Sequence, residues 1–278
     1  MKPTAPRVAV IRFPGLNCEN ETRRAVLAQG VDADIFMWNG PTDELAGYDG
    51  YVLPGGFSYQ DRVRAGAIAA KDRIMDCIIA QAAAGKPVLG ICNGAQILIE
   101  SGLVPGLGDG QVEMGLARNI MPDRDGYYSR WAYLRVESTE TAATVGMVVG
   151  EVVPVPIAHA EGRFVTSDPG LVERLRSNGQ IAFTYATPDG AFSDDFPWNP
   201  NGSTAGIAAI SNPGGNVVAM MPHPERCSWL YQVPETLAGE WGRRRRAARG
   251  DGTMLIAPGP GALVLRSICE RLFAAEGV

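Results

Sequence analysis

Long apolar runs and histidine are what this sequence most lacks. No stretch of its 278 residues approaches the ~18 apolar residues that a membrane-spanning helix needs, so we expect no membrane anchor. The formal net charge is −5, which argues against nucleic-acid binding as the main function. Only two histidines are present, His159 and His223. Any chemistry that needs an imidazole base must therefore use one of these two.

Paired cysteines and a phosphate-binding loop are also missing. The five cysteines are odd in number, widely spaced and without a Cys-x-x-Cys pattern, which predicts free thiols and no metal site. A strand pattern begins at Arg7 with no secretory leader pattern before it, so we expect a cytoplasmic protein. No Gly-x-x-x-x-Gly-Lys-Ser/Thr loop occurs, and ATP is not expected to bind here. The cysteines are Cys18, Cys77, Cys92, Cys227 and Cys269.

Short apolar runs that alternate with helical patterns predict an α/β fold with a parallel sheet. We expect strands at 7–13, 31–38, 51–53 and just before Cys92, and a helix over 66–84. From about residue 111 the pattern changes, and strands at 127–137, 146–157, 182–185, 205–210 and 217–221 indicate an antiparallel or mixed portion. A final helix is expected over 263–273. With no repeat or break in composition, we expect one domain over 1–278.

The most informative stretch is a buried strand that turns straight into a helix at Cys92. Gly90 and Gly94 flank this cysteine in a Gly-x-Cys-x-Gly pattern, which suits a sharp strand-to-helix turn. Such a turn exposes the thiol at the carboxyl edge of the sheet, beside a helix N-terminus that favours the thiolate. We therefore predict a nucleophile that attacks a carbonyl carbon. A buried structural cysteine is the alternative.

A cysteine nucleophile needs a base, and the two histidines compete for that role. His223 follows a buried strand and has Glu225 two residues later; in an extended segment stiffened by prolines the two side chains would share one side. Cys92, His223 and Glu225 would then form a nucleophile, base and orienting carboxylate. His159 also has a carboxylate two residues later, Glu161. The sequence pattern therefore favours His223 as the base but leaves His159 as a competitor.

The Cys92 turn and the His-x-Glu pair resemble the class I glutamine amidotransferases, and further motif blocks narrow the resemblance. Together these blocks are similar to the glutaminase subunits of phosphoribosylformylglycinamidine synthases over nearly the whole chain. The resemblance implies a three-layer α/β/α, flavodoxin-like fold with a central, mostly parallel sheet and an additional antiparallel portion. The blocks are 13–18 (Phe-Pro-Gly-Leu-Asn-Cys), 54–66 (Pro-Gly-Gly-Phe-Ser-Tyr to Ala-Gly), 92–96, 130–136 and 221–226 (Met-Pro-His-Pro-Glu-Arg).

The resemblance also implies residue roles. Cys92 would form a γ-glutamyl thioester with L-glutamine, His223 would transfer protons and Glu225 would orient it. Backbone N–H groups in the glycine turn and at the start of the helix after Cys92 would hold the oxyanion. The side chains of Gln96 and Arg64 would contact glutamine, although a salt bridge within the loop is an equal alternative for Arg64. These oxyanion and substrate residues are Gly55, Gly56, Asn93, Gln96 and Arg64.

The useful product in this family is ammonia, which passes to a large synthetase subunit that uses ATP and magnesium to convert formylglycinamide ribonucleotide to the amidine. A small accessory subunit is also implied. The sequence departs from the family at Gln60, at Arg62-Val63, at Ala160 and in an apparent insertion over about 232–261 that contains Arg243 to Arg246. A free-standing γ-glutamyl hydrolase, or a non-enzymatic stress protein built on a cysteine elbow, would be the alternative functions.

Overall fold

The computed structural model describes residues 5–108 and 110–275, so residues 1–4, 109 and 276–278 of the expected 1–278 domain lie outside it. Within this part of the chain, eleven strands and eight helices are found, together with short 3-10 turns. The strands are β1 Arg7–Arg12, β2 Asp32–Met37, β3 Gly50–Leu53, β4 Val88–Ile91, β5 Gly115–Ala117, β6 Tyr128–Val136, β7 Val152–His159, β8 Arg163–Val165, β9 Ile181–Ala186, β10 Ile207–Ser211 and β11 Val217–Met220. The helices are α1 Glu19–Leu27, α2 Thr42–Ala46, α3 Arg73–Ala83, α4 Asn93–Glu100, α5 Leu171–Ser177, α6 Glu240–Ala247, α7 Gly252–Leu255 and α8 Gly261–Ala275.

The main sheet joins a parallel half to an antiparallel half. Its strand order is β2-β1-β3-β4-β11-β10-β9-β6-β7, and β2, β1, β3, β4 and β11 run parallel. From β11 onward every neighbouring pair is antiparallel. The predicted α/β fold with a parallel sheet and an added antiparallel portion is confirmed.

The parallel strands form the centre of the core. All residues of β3, β4 and β11 are buried. Since successive side chains point to opposite faces of a sheet, such runs mean that both faces are covered. Strands β3, β4 and β11 are neighbours and end together at Leu53, Ile91 and Met220. The turns that follow these three strands therefore meet at one edge of the sheet.

Two element boundaries differ from the sequence prediction by six or more residues. The helix expected over 66–84 begins only at Arg73, because Asp72 has an extended backbone (φ −71°, ψ 143°) and caps the new start by accepting a hydrogen bond from Ile74 N. The strand expected from residue 146 begins at Val152. Among the described residues, no helix is long and apolar enough to span a bilayer.

The arginine-rich stretch forms a small layer beside the antiparallel half of the sheet. Leu230, Val233, Leu237 and Ala248 pack with Tyr133 of β6 in a separate apolar cluster. Three arginines of this stretch bind Glu235. Arg245 and Arg249 form ion pairs with its carboxylate, with 3.1 Å between Arg245 Nη1 and Glu235 Oε1, and Arg246 donates to its backbone oxygen. Arg244 lies 4.2 Å from the centre of the Trp241 ring. Much of this basic cluster therefore stabilises its own segment.

Candidate active site

Cys92 occupies a strained turn between β4 and α4. Its backbone has φ 51° and ψ −104°, a conformation that L residues rarely adopt. The flanking glycines explain how the turn can close: a Cβ on Gly94 would lie 1.9 Å from Leu53 O, and one on Gly90 would lie 2.5 Å from Gly94 O. Cys92 N donates to Met220 O at 2.8 Å, which ties the turn to β11. The predicted elbow is therefore present, with its thiol at the N-terminus of α4.

His223 and Glu225 form a buried hydrogen-bonded pair at the end of β11. Nδ1 of His223 and Oε1 of Glu225 are 2.6 Å apart, and the two residues are 1% and 0% exposed. The reason differs from the one expected: Pro224–Cys227 is a 3-10 turn and not an extended segment. This turn brings the carboxylate back under the imidazole. Because Glu225 binds Nδ1, Nε2 is left as the ring nitrogen for chemistry; it is buried, and no hydrogen bond to it is found among the described residues.

The environment of His223 favours its charged form. Burial lowers the pKa of this imidazole, but the Glu225 carboxylate and the Cys92 sulfur both raise it, and the resulting pKa lies well above its ordinary value. The imidazolium is therefore present at neutral pH and is lost as the pH rises through this raised pKa. This imidazolium lines the same depression as Cys92 and can serve as a proton donor there.

A second thiol, that of Cys18, lies beside His223. The sequence did not reveal that these two residues are neighbours. Sulfur, imidazole and carboxylate atoms of Cys18, His223 and Glu225 all lie within 4.8 Å of one another. Arg226 donates to Cys18 Sγ at 3.0 Å. The donor types would suit a transition metal, but the imidazole and carboxylate bind each other instead. Gly55 packs against this group, since a Cβ there would lie 2.8 Å from His223 Cε1.

The two backbone N–H groups predicted to hold the oxyanion belong to Gly56, which lines the depression, and to Asn93, which directly follows Cys92. Gly56 forms an isolated antiparallel bridge with Leu16, and the bridge is framed by hydrogen bonds from Asn17 N to Gly55 O and from Phe57 N to Gly15 O. The bridge therefore does not use the Gly56 N–H. Asn93 N–H is in the first turn of α4, where amide groups have no acceptor within the helix. The depression that contains Cys92 and His223 is also lined by Gly56.

His159 lines the same depression but has a different environment. Its Nδ1 lies 3.1 Å from Asn119 Oδ1, and Asn119 Nδ2 donates to His159 O, so an amide and not a carboxylate holds this ring. Burial, followed by the charge of His223, lowers the pKa of His159 to about 3. His159 is therefore neutral at physiological pH. The structure favours His223 as the base, although both histidines reach the depression.

Comparisons with known proteins show the family of this chain. The model of the CobB/CobQ-like glutamine amidotransferase domain matches residues 5–249. The chain belongs to this glutamine amidotransferase family. It is 52% identical over 235 residues, 82% of this chain and 89% of the relative, to phosphoribosylformylglycinamidine synthase subunit PurQ of Methanothrix thermoacetophila. It is 43% identical over 225 residues to the subunit of the same name from Pyrococcus furiosus, covering 81% of this chain and 91% of that one.

A solved structure supports the same family. The structure of PurLQS from Thermotoga maritima contains a chain with a TM-score of 0.71 and 31% identity, and the match covers 97% of this chain and all of that one. The resemblance of the motif blocks to this class of glutamine amidotransferase is confirmed. The roles of individual site residues stay predictions.

Gln96 is placed in the wall of the amidotransferase site by two hydrogen bonds. Its Oε1 accepts from Asn93 Nδ2 at 2.8 Å, and its Nε2 donates to the backbone oxygen of Glu161 at 2.7 Å. Asn93 Oδ1 in turn accepts from Ser58 N at 3.0 Å. Gln96 thus links the helix after Cys92 to the loop after β7. A contact from Gln96 to glutamine, which the family resemblance implies, stays a prediction.

Arg64 is not among the side chains that line this depression. It lies over a separate open depression with Glu100, and its Nε donates to Glu100 Oε1 at 2.6 Å. Of the two readings of this residue, the geometry favours the loop salt bridge over a contact to glutamine. The sequence could not decide between these two roles of Arg64, because Glu100 lies at the far end of α4 and nothing in the sequence marks it as the partner of Arg64.

The loop after Gly56 explains one departure from the family pattern. Tyr59, Gln60 and Asp61 are all left-handed, at φ 51°, 60° and 52°. Glycine adopts this conformation without steric cost, which accounts for the family preference for glycine at position 60. Gln60 adopts this left-handed conformation without being glycine, and the next residue, Asp61, lines the depression. Sequence reasoning missed Asp61, Glu161 and Arg226 as parts of the site, although Asp61 and Arg226 lie within the motif blocks and Glu161 follows His159 by two residues.

Proposed function

We propose that this chain is the glutamine amidotransferase subunit of phosphoribosylformylglycinamidine synthase, which hydrolyses L-glutamine to glutamate and ammonia. The observation that carries the proposal is the buried His223–Glu225 pair beside the strained Cys92 turn. The two relatives above are both named PurQ subunits of that synthase, and the family resemblance assigns this synthase to de novo purine synthesis.

The reaction begins with attack of the Cys92 thiolate on the side-chain amide carbon of glutamine. The oxyanion that forms lies against the N–H groups of Gly56 and Asn93, and losing one such donor typically costs about a hundredfold or more in rate. His223, charged because Glu225 and Cys92 raise its pKa, gives its proton to the departing ammonia. The neutral imidazole then removes a proton from water, which cleaves the γ-glutamyl thioester.

The ammonia is used by a partner. We propose that the chain assembles with a large synthetase subunit and a small accessory subunit, as the PurLQS assembly of Thermotoga maritima suggests. ATP and magnesium belong to the large subunit in this scheme, and this chain holds no cofactor of its own. A purine-pathway enzyme of this kind is expected in the cytoplasm.

The alternative functions make different demands on the site. A stress protein built on a cysteine elbow does not need an oriented imidazole, so the His223–Glu225 pair favours an enzyme. A free-standing γ-glutamyl hydrolase would use the same residues but would release ammonia to solvent. The identity to PurQ subunits over four-fifths of the chain favours the subunit.

The thioester can be located directly. We expect acid quenching of the assembled complex during turnover of radiolabelled glutamine to leave the γ-glutamyl label on the tryptic peptide that contains Cys92. Peptide mapping by mass spectrometry reads the site. Cys18 offers a matched control within the same chain, because it is a buried thiol beside the same imidazole. Label on Cys18, or no label on any cysteine during turnover, would overturn the assignment.

A further inference from the structure

The depression beside Cys92 carries two carboxylates that the reaction scheme does not use. Asp61 and Glu161 both line it, together with Gln96, His159 and His223. The two acids are close enough to affect each other: burial raises the pKa of Asp61, and the charge of Glu161 raises it further. The positive groups of the same lining, His223 and Arg226, are bound to Glu225 and Cys18, so the two carboxylates favour a ligand with a positive group.

Asp61 is held in place by the residue next to the nucleophile. Asn93 Nδ2 donates to Asp61 Oδ1 at 3.2 Å, and Asn93 directly follows Cys92. The left-handed course of 59–61 turns Asp61 toward the cavity, where it is partly buried. A carboxylate accepts through both of its oxygens, so Asp61 retains acceptor capacity for a ligand.

Neither acid is neutralised by a buried cation within the described part of the chain. Glu161 Oε1 lies 3.8 Å from Arg118 Nε, but the Arg118 side chain is 90% exposed, so solvent weakens this pair. The backbone oxygen of Glu161 is fixed by Gln96 Nε2 at 2.7 Å, which holds the carboxylate-bearing residue at the cavity wall.

We propose that Asp61, with Glu161 beside it, binds the α-ammonium group of L-glutamine and so selects an amino acid over other primary amides. The inference rests on the proposed glutaminase function. With the amide carbon at Cys92, the short methylene chain of glutamine carries the α-carbon away from the nucleophile, along the depression that the two acids line. The same charges repel an amide that has the terminal carboxylate but lacks the ammonium group, which adds discrimination against it.

The test compares glutamine with glutaramate, its analogue without the α-amino group, in the assembled complex. Asp61→Asn keeps an acceptor for Asn93 Nδ2 and removes only the charge. We expect it to lower kcat/KM for glutamine by about tenfold to a hundredfold, mainly through KM, because the ammonium lies away from the reacting carbon. Hydrolysis of glutaramate should be unchanged or faster, so the preference for glutamine collapses.

A second variant and a control separate binding from folding. Glu161→Gln does not touch Asn93 and should reduce the same preference by a smaller factor, since Glu161 is about one-third exposed. Asp189→Asn, an exposed acid outside the depression, should leave the preference unchanged. Equal losses on both substrates, or an unchanged preference in both Asp61→Asn and Glu161→Gln, would overturn this inference. A wild-type complex that does not hydrolyse glutamine would instead contradict the proposed function.

Discussion

Replacing Cys92 by serine is expected to abolish glutamine-dependent synthesis by the assembled complex while ammonia-dependent synthesis persists. A serine hydroxyl at this position is not ionised by a neighbouring imidazolium, so thioester chemistry stops, and we expect a loss of about a thousandfold or more. Added ammonia bypasses the glutaminase step, because the partner synthetase uses it directly. The measurement is the rate of amidine formation with each nitrogen donor.

The control for this variant is another cysteine of the same chain. Cys77 lies on α3, where its thiol donates to Thr42 O at 3.4 Å, away from the depression. Cys77→Ser should retain both activities. Loss of ammonia-dependent synthesis in a Cys92→Ser complex that assembles normally would show that the division of labour between subunits is wrong.

The second large effect separates the two histidines. His223→Ala should slow glutamine turnover by about a hundredfold to ten-thousandfold, because it removes the group that protonates ammonia and activates water. His159→Ala should retain measurable hydrolysis, since the ring is neutral and is held by Asn119 instead of a carboxylate. Single-turnover measurements of thioester formation and decay distinguish the two variants.

Folding must be monitored alongside these rates. Both rings are buried, and His159 packs against Gly162, where a Cβ would lie 2.2 Å from the ring. Thermal unfolding of each variant therefore accompanies the kinetics. If a folded His159→Ala protein lost turnover while a folded His223→Ala protein kept it, the assignment of the base would be reversed.

Local chemistry made much of the site predictable from sequence. The positions on both sides of Cys92 must be glycine, because a Cβ on Gly90 or Gly94 would lie within 2.5 Å of a backbone oxygen. The spacing of these glycines therefore predicted the elbow. The carboxyl ends of β3, β4 and β11 meet because parallel neighbours end at one edge, which placed Gly56, Cys92 and His223 together. The family resemblance supplied the substrate and partner.

Other features depend on contacts that spacing does not encode. The 3-10 turn at Pro224–Cys227 joins His223 to Glu225, whereas the sequence argument assumed an extended segment. The partners of Arg64 and Cys18 lie on different elements, Glu100 on α4 and Arg226 beyond β11. The late start of α3 depends on the extended backbone of Asp72, which its sequence neighbours did not indicate.

Transfer of ammonia inside the complex tests the central claim most directly. Glutamine labelled with heavy nitrogen in its amide is supplied to the chain and its synthetase together with an excess of unlabelled ammonia, and the label in the amidine product is measured. A subunit that delivers ammonia to its partner predicts that most of the product carries the heavy nitrogen. Dilution of the label to its fraction in bulk ammonia, with strong glutaminase activity of the chain alone, would contradict this account and favour a free-standing hydrolase.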